Sequence, residues 1–290
     1  MCCLFLAASS TVAIAQTSVV DLVNPIIGTN GMGHTFPGAC VPFGLVQLSP
    51  DTDTIPHNVD GKYQPRSYEY CAGYQHKDSS IVGFSHTHFS GTGHSDLGDI
   101  LIMPTTGTLK LNPGTATNPD GGYRSRFSHG TEISRPGYYE VMLTDYGVKA
   151  QLTTTQRVGI HKYTYPTNSE NQRIILDMIH GIYNYDGKVL WTNIRVENDT
   201  LVTGYRITNG WARTNYTYFA MSFSKPITHY GCEEKAKVNY RGGYAKFNMK
   251  ENFPNIGGRK IVAYFDFDPK TSDELEVKVA LSGVSTEGAL

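Results

Sequence analysis

Charge is scarce in this chain. Its 290 residues carry 25 Lys and Arg against 26 Asp and Glu, a net charge of -1 with no long run of one sign. Nucleic acid and anionic membranes are bound by clustered cations, so neither is an expected partner. Cysteine is also sparse. Cys2 and Cys3 stand at the extreme amino terminus, which leaves Cys40, Cys71 and Cys232 too few and too scattered for a disulfide scaffold. One disulfide and three thiols both stay open. Long apolar runs are missing: no stretch approaches the roughly 18 to 20 residues of a membrane span. From about Val41 onward a 3.6-residue apolar period almost never persists for three turns, which excludes a helical bundle.

Aromatics and glycine are plentiful, with 19 Tyr, 12 Phe and 30 Gly. That mixture favours strands joined by tight turns and offers aromatic faces to neutral ligands such as sugars. Residues 1–15 read as an export signal, with Leu4, Phe5 and Leu6 in an apolar stretch and Ala13-Ile14-Ala15 as the cleavage site before Gln16, although the usual basic residues are missing. Residues 16–290 then form the mature, exported chain. Period-two alternation places Val148, Ala150, Leu152 and Thr154 on one face, and Phe219, Met221 and Phe223, then Val277, Val279 and Leu281, repeat the pattern. Further strands are expected at Ile100 to Met103, Tyr138 to Leu143, Ile174 to Ile179, Val189 to Val196, Leu201 to Ile207 and Ile261 to Phe267, with a hairpin tip between Val196 and Leu201. Many short strands with turn signals between them predict an all-β fold with few helices, a large antiparallel β-sandwich.

Residues 24–99 differ: Gly, Pro, His, Ser and Thr are dense and strand runs are brief, the composition of long functional loops. The densest cluster is Gly83-Phe84-Ser85-His86-Thr87-His88-Phe89-Ser90-Gly91-Thr92-Gly93-His94-Ser95-Asp96-Leu97-Gly98-Asp99. On a strand, His86 and His88 would share a face, and the glycine-rich turn would return His94, Asp96 and Asp99 toward them. Four readings stay open: a zinc site, a carboxylate pair acting on a glycosidic bond, a polar wall for ligand hydroxyls, and satisfied buried groups in a tight turn. The segment Asn24 to Ala39 superficially resembles a phosphate-binding glycine loop, but Pro37 and Pro42 stand where a helix would have to follow. His34 and Phe36 at its tip suit one hydrogen bond and one stacking contact, with core packing of Phe36 the equal alternative. Tyr68-Glu69-Tyr70-Cys71-Ala72-Gly73-Tyr74-Gln75-His76 alternates aromatic and polar residues, as sugar-stacking surfaces and core strands both do.

These segments together are similar to the amino-terminal domain of glycoside hydrolase family 92, largely bacterial exo-α-mannosidases. The resemblance rests on Val23-Asn24-Pro25-Ile26-Ile27-Gly28-Thr29, Gly33-His34-Thr35-Phe36-Pro37-Gly38-Ala39, Val41-Pro42-Phe43-Gly44, Gln47-Leu48-Ser49-Pro50-Asp51-Thr52, Gly83 to His88, Ser90-Gly91-Thr92-Gly93, Gly98-Asp99-Ile100, Pro104-Thr105-Thr106-Gly107, Arg124 to His129, Pro136-Gly137-Tyr138-Tyr139 and Val284 to Ala289, nearly end to end. It implies a supersandwich of the galactose-mutarotase-like kind packed on a catalytic (α/α)6 barrel, with the active site in the cleft between them. It further implies hydrolysis of terminal α-mannosyl linkages of glycans with inversion, a calcium ion, and a secreted or periplasmic location. The general acid, the general base and most calcium ligands would belong to the barrel, beyond Leu290, so no catalytic residue is expected in this chain. By position, His34, Phe36, Tyr68, Cys71, His86, His88 and Asp96 are the substrate-binding residues the resemblance implies. Tyr68 and His94 depart from the family, which often has Trp and Cys there, and linkage preference is expected to shift with them. A stand-alone module that binds mannosides without cleaving them, and a zinc hydrolase built on His86, His88 and His94, are the rival readings. Without its barrel the sandwich is expected to expose an apolar face.

Overall fold

The computed structural model describes residues 18–91, 97–236 and 252–290. Two large antiparallel sheets dominate. One has seven strands in the spatial order Ala39–Cys40, Gln47–Asp51, Gly83–Ser85, Leu101–Thr105, Gln172–Asp177, Ile261–Phe267 and Ile227–Glu234. The other has nine, in the order Asn255–Gly258, Val189–Asn198, Leu201–Thr208, Asn215–Phe223, Glu274–Ser282, Val158–Thr164, Val148–Thr154, Tyr138–Leu143 and Ile133–Arg135. Helix among the described residues is limited to short 3-10 turns, so the architecture is the all-β sandwich read from the alternation.

Side chains from both sheets join one core. Val141, Ala150, Leu152, Phe219, Met221, Val277 and Val279 from the nine-stranded sheet share it with Ile102, Ile175, Leu176, Ala263 and Phe265 from the other. In Val148–Thr154 the buried positions are Val148, Ala150, Leu152 and Thr154, the face predicted by alternation. Strands Leu101–Thr105 and Gln172–Asp177 are buried along their whole length. A strand covered on both faces has no solvent side to mark with polar residues, so apolar residues stand consecutively in Leu101-Ile102-Met103 and Ile174-Ile175-Leu176 without alternation. The hairpin between Val189–Asn198 and Leu201–Thr208 turns through Asp199 and Thr200, with Asn198 paired to Leu201.

Loops cover the seven-stranded sheet and carry the candidate site. Residues 71–76 dock on the end of Gln47–Asp51: Thr52 N–H donates to the Gly73 carbonyl at 2.9 Å and Gln75 N–H donates to Thr52 Oγ1 at 2.9 Å. Gln75 also clamps the glycine-rich loop, accepting from Gly31 N–H at 2.7 Å and donating to the Gly31 carbonyl at 3.0 Å. Gly73 is required twice over. Its φ of +78° lies in the left-handed region, and a Cβ there would stand 1.9 Å from Asp51 Oδ1. Gly73→Ala is therefore expected to destabilise the fold by about 2 kcal/mol, read as a lower urea midpoint with an unchanged m-value.

The expected apolar exposure is found in part. Phe43 is fully exposed at a positive φ of 57°, and it lines one shallow groove with Leu45 and Val284, whose exposure is 84%. The export signal expected over residues 1–15 lies outside the described residues.

Candidate functional site

Four segments converge beneath the glycine-rich loop: the end of Gln47–Asp51, the residues that follow Gly83–Ser85, Gly98 to Ile100 entering Leu101–Thr105, and residues 178–183 leaving Gln172–Asp177. Antiparallel pairing brings these ends together, because Ser49 is opposite Ser85 and Asp177 is opposite Leu101.

Asp51 is the centre of a buried imidazole–carboxylate–imidazole chain. Its Oδ1 lies 2.8 Å from His88 Nε2 and its Oδ2 lies 2.7 Å from His180 Nε2. The other nitrogen of His88 faces the Gln47 carbonyl at 2.7 Å. Burial of Asp51 opposes its ionisation, yet the charges and hydrogen bonds of His88 and His180 outweigh burial and hold its carboxyl well below the usual carboxylate range.

His86 takes a separate path. Its Nδ1 lies 2.6 Å from the Ile100 carbonyl, its Nε2 lies 3.0 Å from His161 Nε2, and His161 Nδ1 lies 2.8 Å from Tyr163 Oη. One neutral arrangement satisfies every atom: Tyr163 O–H donates to His161 Nδ1, His161 Nε2–H donates to His86 Nε2, and His86 Nδ1–H donates to Ile100. Burial, the largest influence, pushes the His86 imidazole down to about 4 and holds His161 well below its ordinary value.

Asp99 and Arg206 form the third buried element. Arg206 is fully buried and donates to Asp99 Oδ1 from Nε at 3.0 Å and from Nη2 at 2.6 Å, while its Nη1 reaches the carbonyls of Met178 and His180. Thr87 Oγ1 donates to Asp99 Oδ2 at 2.8 Å. These contacts hold Ile100 at a φ of +55°, an uncommon conformation for a β-branched residue.

Above this foundation lies a more open group. His34 has a φ of +52° and its ring meets the Tyr68 ring edge-on at 4.7 Å between centroids. His34 is 7% exposed, and its Nε2 is buried without a hydrogen-bond partner among the described residues. A buried polar atom left unpaired costs about 1–3 kcal/mol, so a nitrogen without a partner among the described residues, in a strained residue, makes His34 a candidate ligand contact. Phe36, half-buried, lies 5.3 Å from the His88 ring. Cys71 Sγ is packed 2.6 Å from the Tyr68 carbonyl and 3.3 Å from Tyr183 Oη.

Of the seven residues nominated from sequence, His34, Tyr68 and Cys71 are linked by direct contact, and Phe36 with His88 forms a second contact pair. His86 and His88 do not share a face: the strand ends at Ser85 and the two rings have no partner in common. His86 is fully buried with both nitrogens engaged by protein, so it supports the wall from behind. The same geometry removes His86 from a zinc site with His88; His94 and Asp96 lie outside the described residues. Asp51, His180, Tyr183 and Arg206 were not nominated. Asp51 stood within a quoted motif, but His180, 129 positions away, has no sequence signal that pairs it with Asp51. A cleft of 210 Å³ lined by Asp53, Thr54, Arg124, Asn184 and Asp177 adjoins the site at His180 and contains none of the seven.

Asp51 and Asp99 do not fit calcium. The ion takes six to eight oxygens, whereas Asp51 gives both of its oxygens to imidazoles and Asp99 gives its two to Arg206 and Thr87.

Comparison with known proteins places the fold in a family. Residues 22–282 match the Glycosyl hydrolase family 92 N-terminal domain. The chain belongs to that family. A family GH92 α-mannosidase from Bacteroides thetaiotaomicron, solved in complex with mannoimidazole, is 41% identical and superposes with a TM-score of 0.80 over 93% of this chain. A family GH92 inverting mannosidase from the same organism is 25% identical with a TM-score of 0.71 over 94% of the chain. An uncharacterized secreted glycosidase of Arthroderma benhamiae is 28% identical over 170 residues, 56% of this chain. The family 92 chain spans 33% of each of the two solved enzymes and 19% of the fungal relative. Among its described residues no helix is long and apolar enough to cross a membrane.

Proposed function

We propose that this family 92 domain lines the sugar pocket of a secreted or periplasmic α-mannosidase that removes terminal α-mannosyl residues from glycans with inversion. The acid and base belong to an (α/α)6 barrel carried by the rest of the polypeptide. Two observations support the division of labour: the chain spans one third of solved mannosidases, and Asp51 and Asp99 are both engaged by neighbouring side chains. Calcium, on this reading, is held by ligands outside the described residues of this domain. The apolar groove of Phe43, Leu45 and Val284 is available for the barrel.

The observation that carries the pocket assignment is His34. Its Nε2 has no partner among the described residues and its ring meets the Tyr68 ring, so one group can hydrogen-bond a hydroxyl while the other packs on a sugar face. In the intact mannosidase, His34→Ala and Tyr68→Ala are each expected to lower kcat/KM about 10- to 100-fold, the value of one lost contact of this kind. Unchanged kinetics in both variants, with native melting temperatures, would remove these residues from the pocket.

A further inference from the structure

The chain has a second cluster of ligating side chains, away from the pocket. His76, His129 and Glu132 present their donor atoms within 4.8 Å of one another, and they form the one such group among the described residues. Glu132 is a carboxylate with 3% side-chain exposure, and its position is fixed by two buried tyrosines. Tyr139 O–H donates to Oε1 at 2.6 Å, and Tyr74 O–H donates to Oε1 at 2.8 Å and to Oε2 at 3.0 Å. Its Oε2 also lies 2.7 Å from His129 Nδ1. The His76 and His129 rings meet at a tilt of 34° with 4.0 Å between centroids, and Phe127 meets His129 edge-on at 5.0 Å.

We infer that His76, His129 and Glu132 bind one divalent transition-metal ion of the zinc class. Two imidazoles and one carboxylate are a zinc-type donor set, and imidazole selects against calcium and magnesium, which take oxygen. Tetrahedral bonds of about 2.0–2.1 Å set donors roughly 3.3 Å apart, so the three groups need a closure of about 1.5 Å at most. The half-buried His76 and the exposed His129 are free to make it, while Glu132 is already oriented by its tyrosines, as outer-shell partners orient metal ligands. His129, 38% exposed, leaves the fourth position open to water.

The ion would have a structural consequence. His76 N–H donates to the Thr29 carbonyl at 2.8 Å, which attaches it to the glycine-rich loop, whereas Glu132 leads directly into the edge strand Ile133–Arg135. Metal bound here staples the loops that carry His34 and Tyr68 to the rim of the nine-stranded sheet.

The test uses the purified chain stripped with EDTA. Zinc is expected to bind one to one in isothermal titration and to raise Tm by about 5 °C or more at a hundredfold excess over Kd. Cobalt is expected to give tetrahedral visible absorption, and calcium to give no shift. His76→Ala at a half-buried site and His129→Ala at an exposed one are expected to keep the apo Tm and lose the zinc shift. A missing zinc shift, or one retained in both variants, overturns the assignment.

Discussion

Arg206→Met is expected to lower the unfolding free energy by about 3–5 kcal/mol, the largest effect of any single substitution considered for this domain. The guanidinium is fully buried and bonds Asp99 through two nitrogens, so its removal leaves a carboxylate uncompensated in the interior. It also frees the carbonyls of Met178 and His180 and loosens the strained turn at Ile100. Asp99→Asn added to Arg206→Met is expected to recover part of the loss, because the orphaned charge disappears while Thr87 keeps a partner. Urea unfolding of the two variants checks this. A change below about 1 kcal/mol for Arg206→Met would show that the ion pair does not organise the site.

Acid is expected to weaken the same region well before general carboxylate titration. The His86 imidazole is held at about 4 in the folded chain against an ordinary 6.5, so the unfolded chain binds a proton across that window and the native chain does not. The stability that His86 contributes is fully present above 6.5 and is lost as pH falls toward 4, by about 3 kcal/mol in all. His161, held below its ordinary value by burial and then by His86, acts in the same direction. Asp51 takes over at lower pH: its folded value is depressed, so its contribution is present above the ordinary carboxylate range and fades below it. Urea midpoints at pH 7, 5.5 and 4.5 should fall in that order; a flat profile would mean that His86 and His161 are not held neutral.

Much of the fold was legible because one-sided strands announce themselves. Val148–Thr154 and Glu274–Ser282 bury alternate residues, and their apolar residues stand at the buried positions. Arg206 shows where that logic stops. It occupies an inward position between Gly204 and Thr208, although a lone arginine in a strand reads as a solvent-facing residue, and only Asp99, 107 positions away, explains its burial. The spacing of His86 and His88 suggested a shared face because the strand was taken to continue; it ends at Ser85, and the next residues turn their rings to different partners. His34 was legible as the tip of a glycine-rich loop, but its unpaired nitrogen required the folded surroundings. The stapling histidines, His76 and His129, lay in quoted segments without a signal that they meet, since the 3-10 turn at His129–Thr131 sets their approach.

The most direct measurement is isothermal titration of an α-linked mannobiose into the purified chain, with mannose release assayed in parallel. The account predicts binding that His34→Ala abolishes, and no release. Release of mannose by these 290 residues alone, or sugar binding unchanged in His34→Ala, would contradict a pocket-lining domain whose chemistry lies elsewhere in the enzyme.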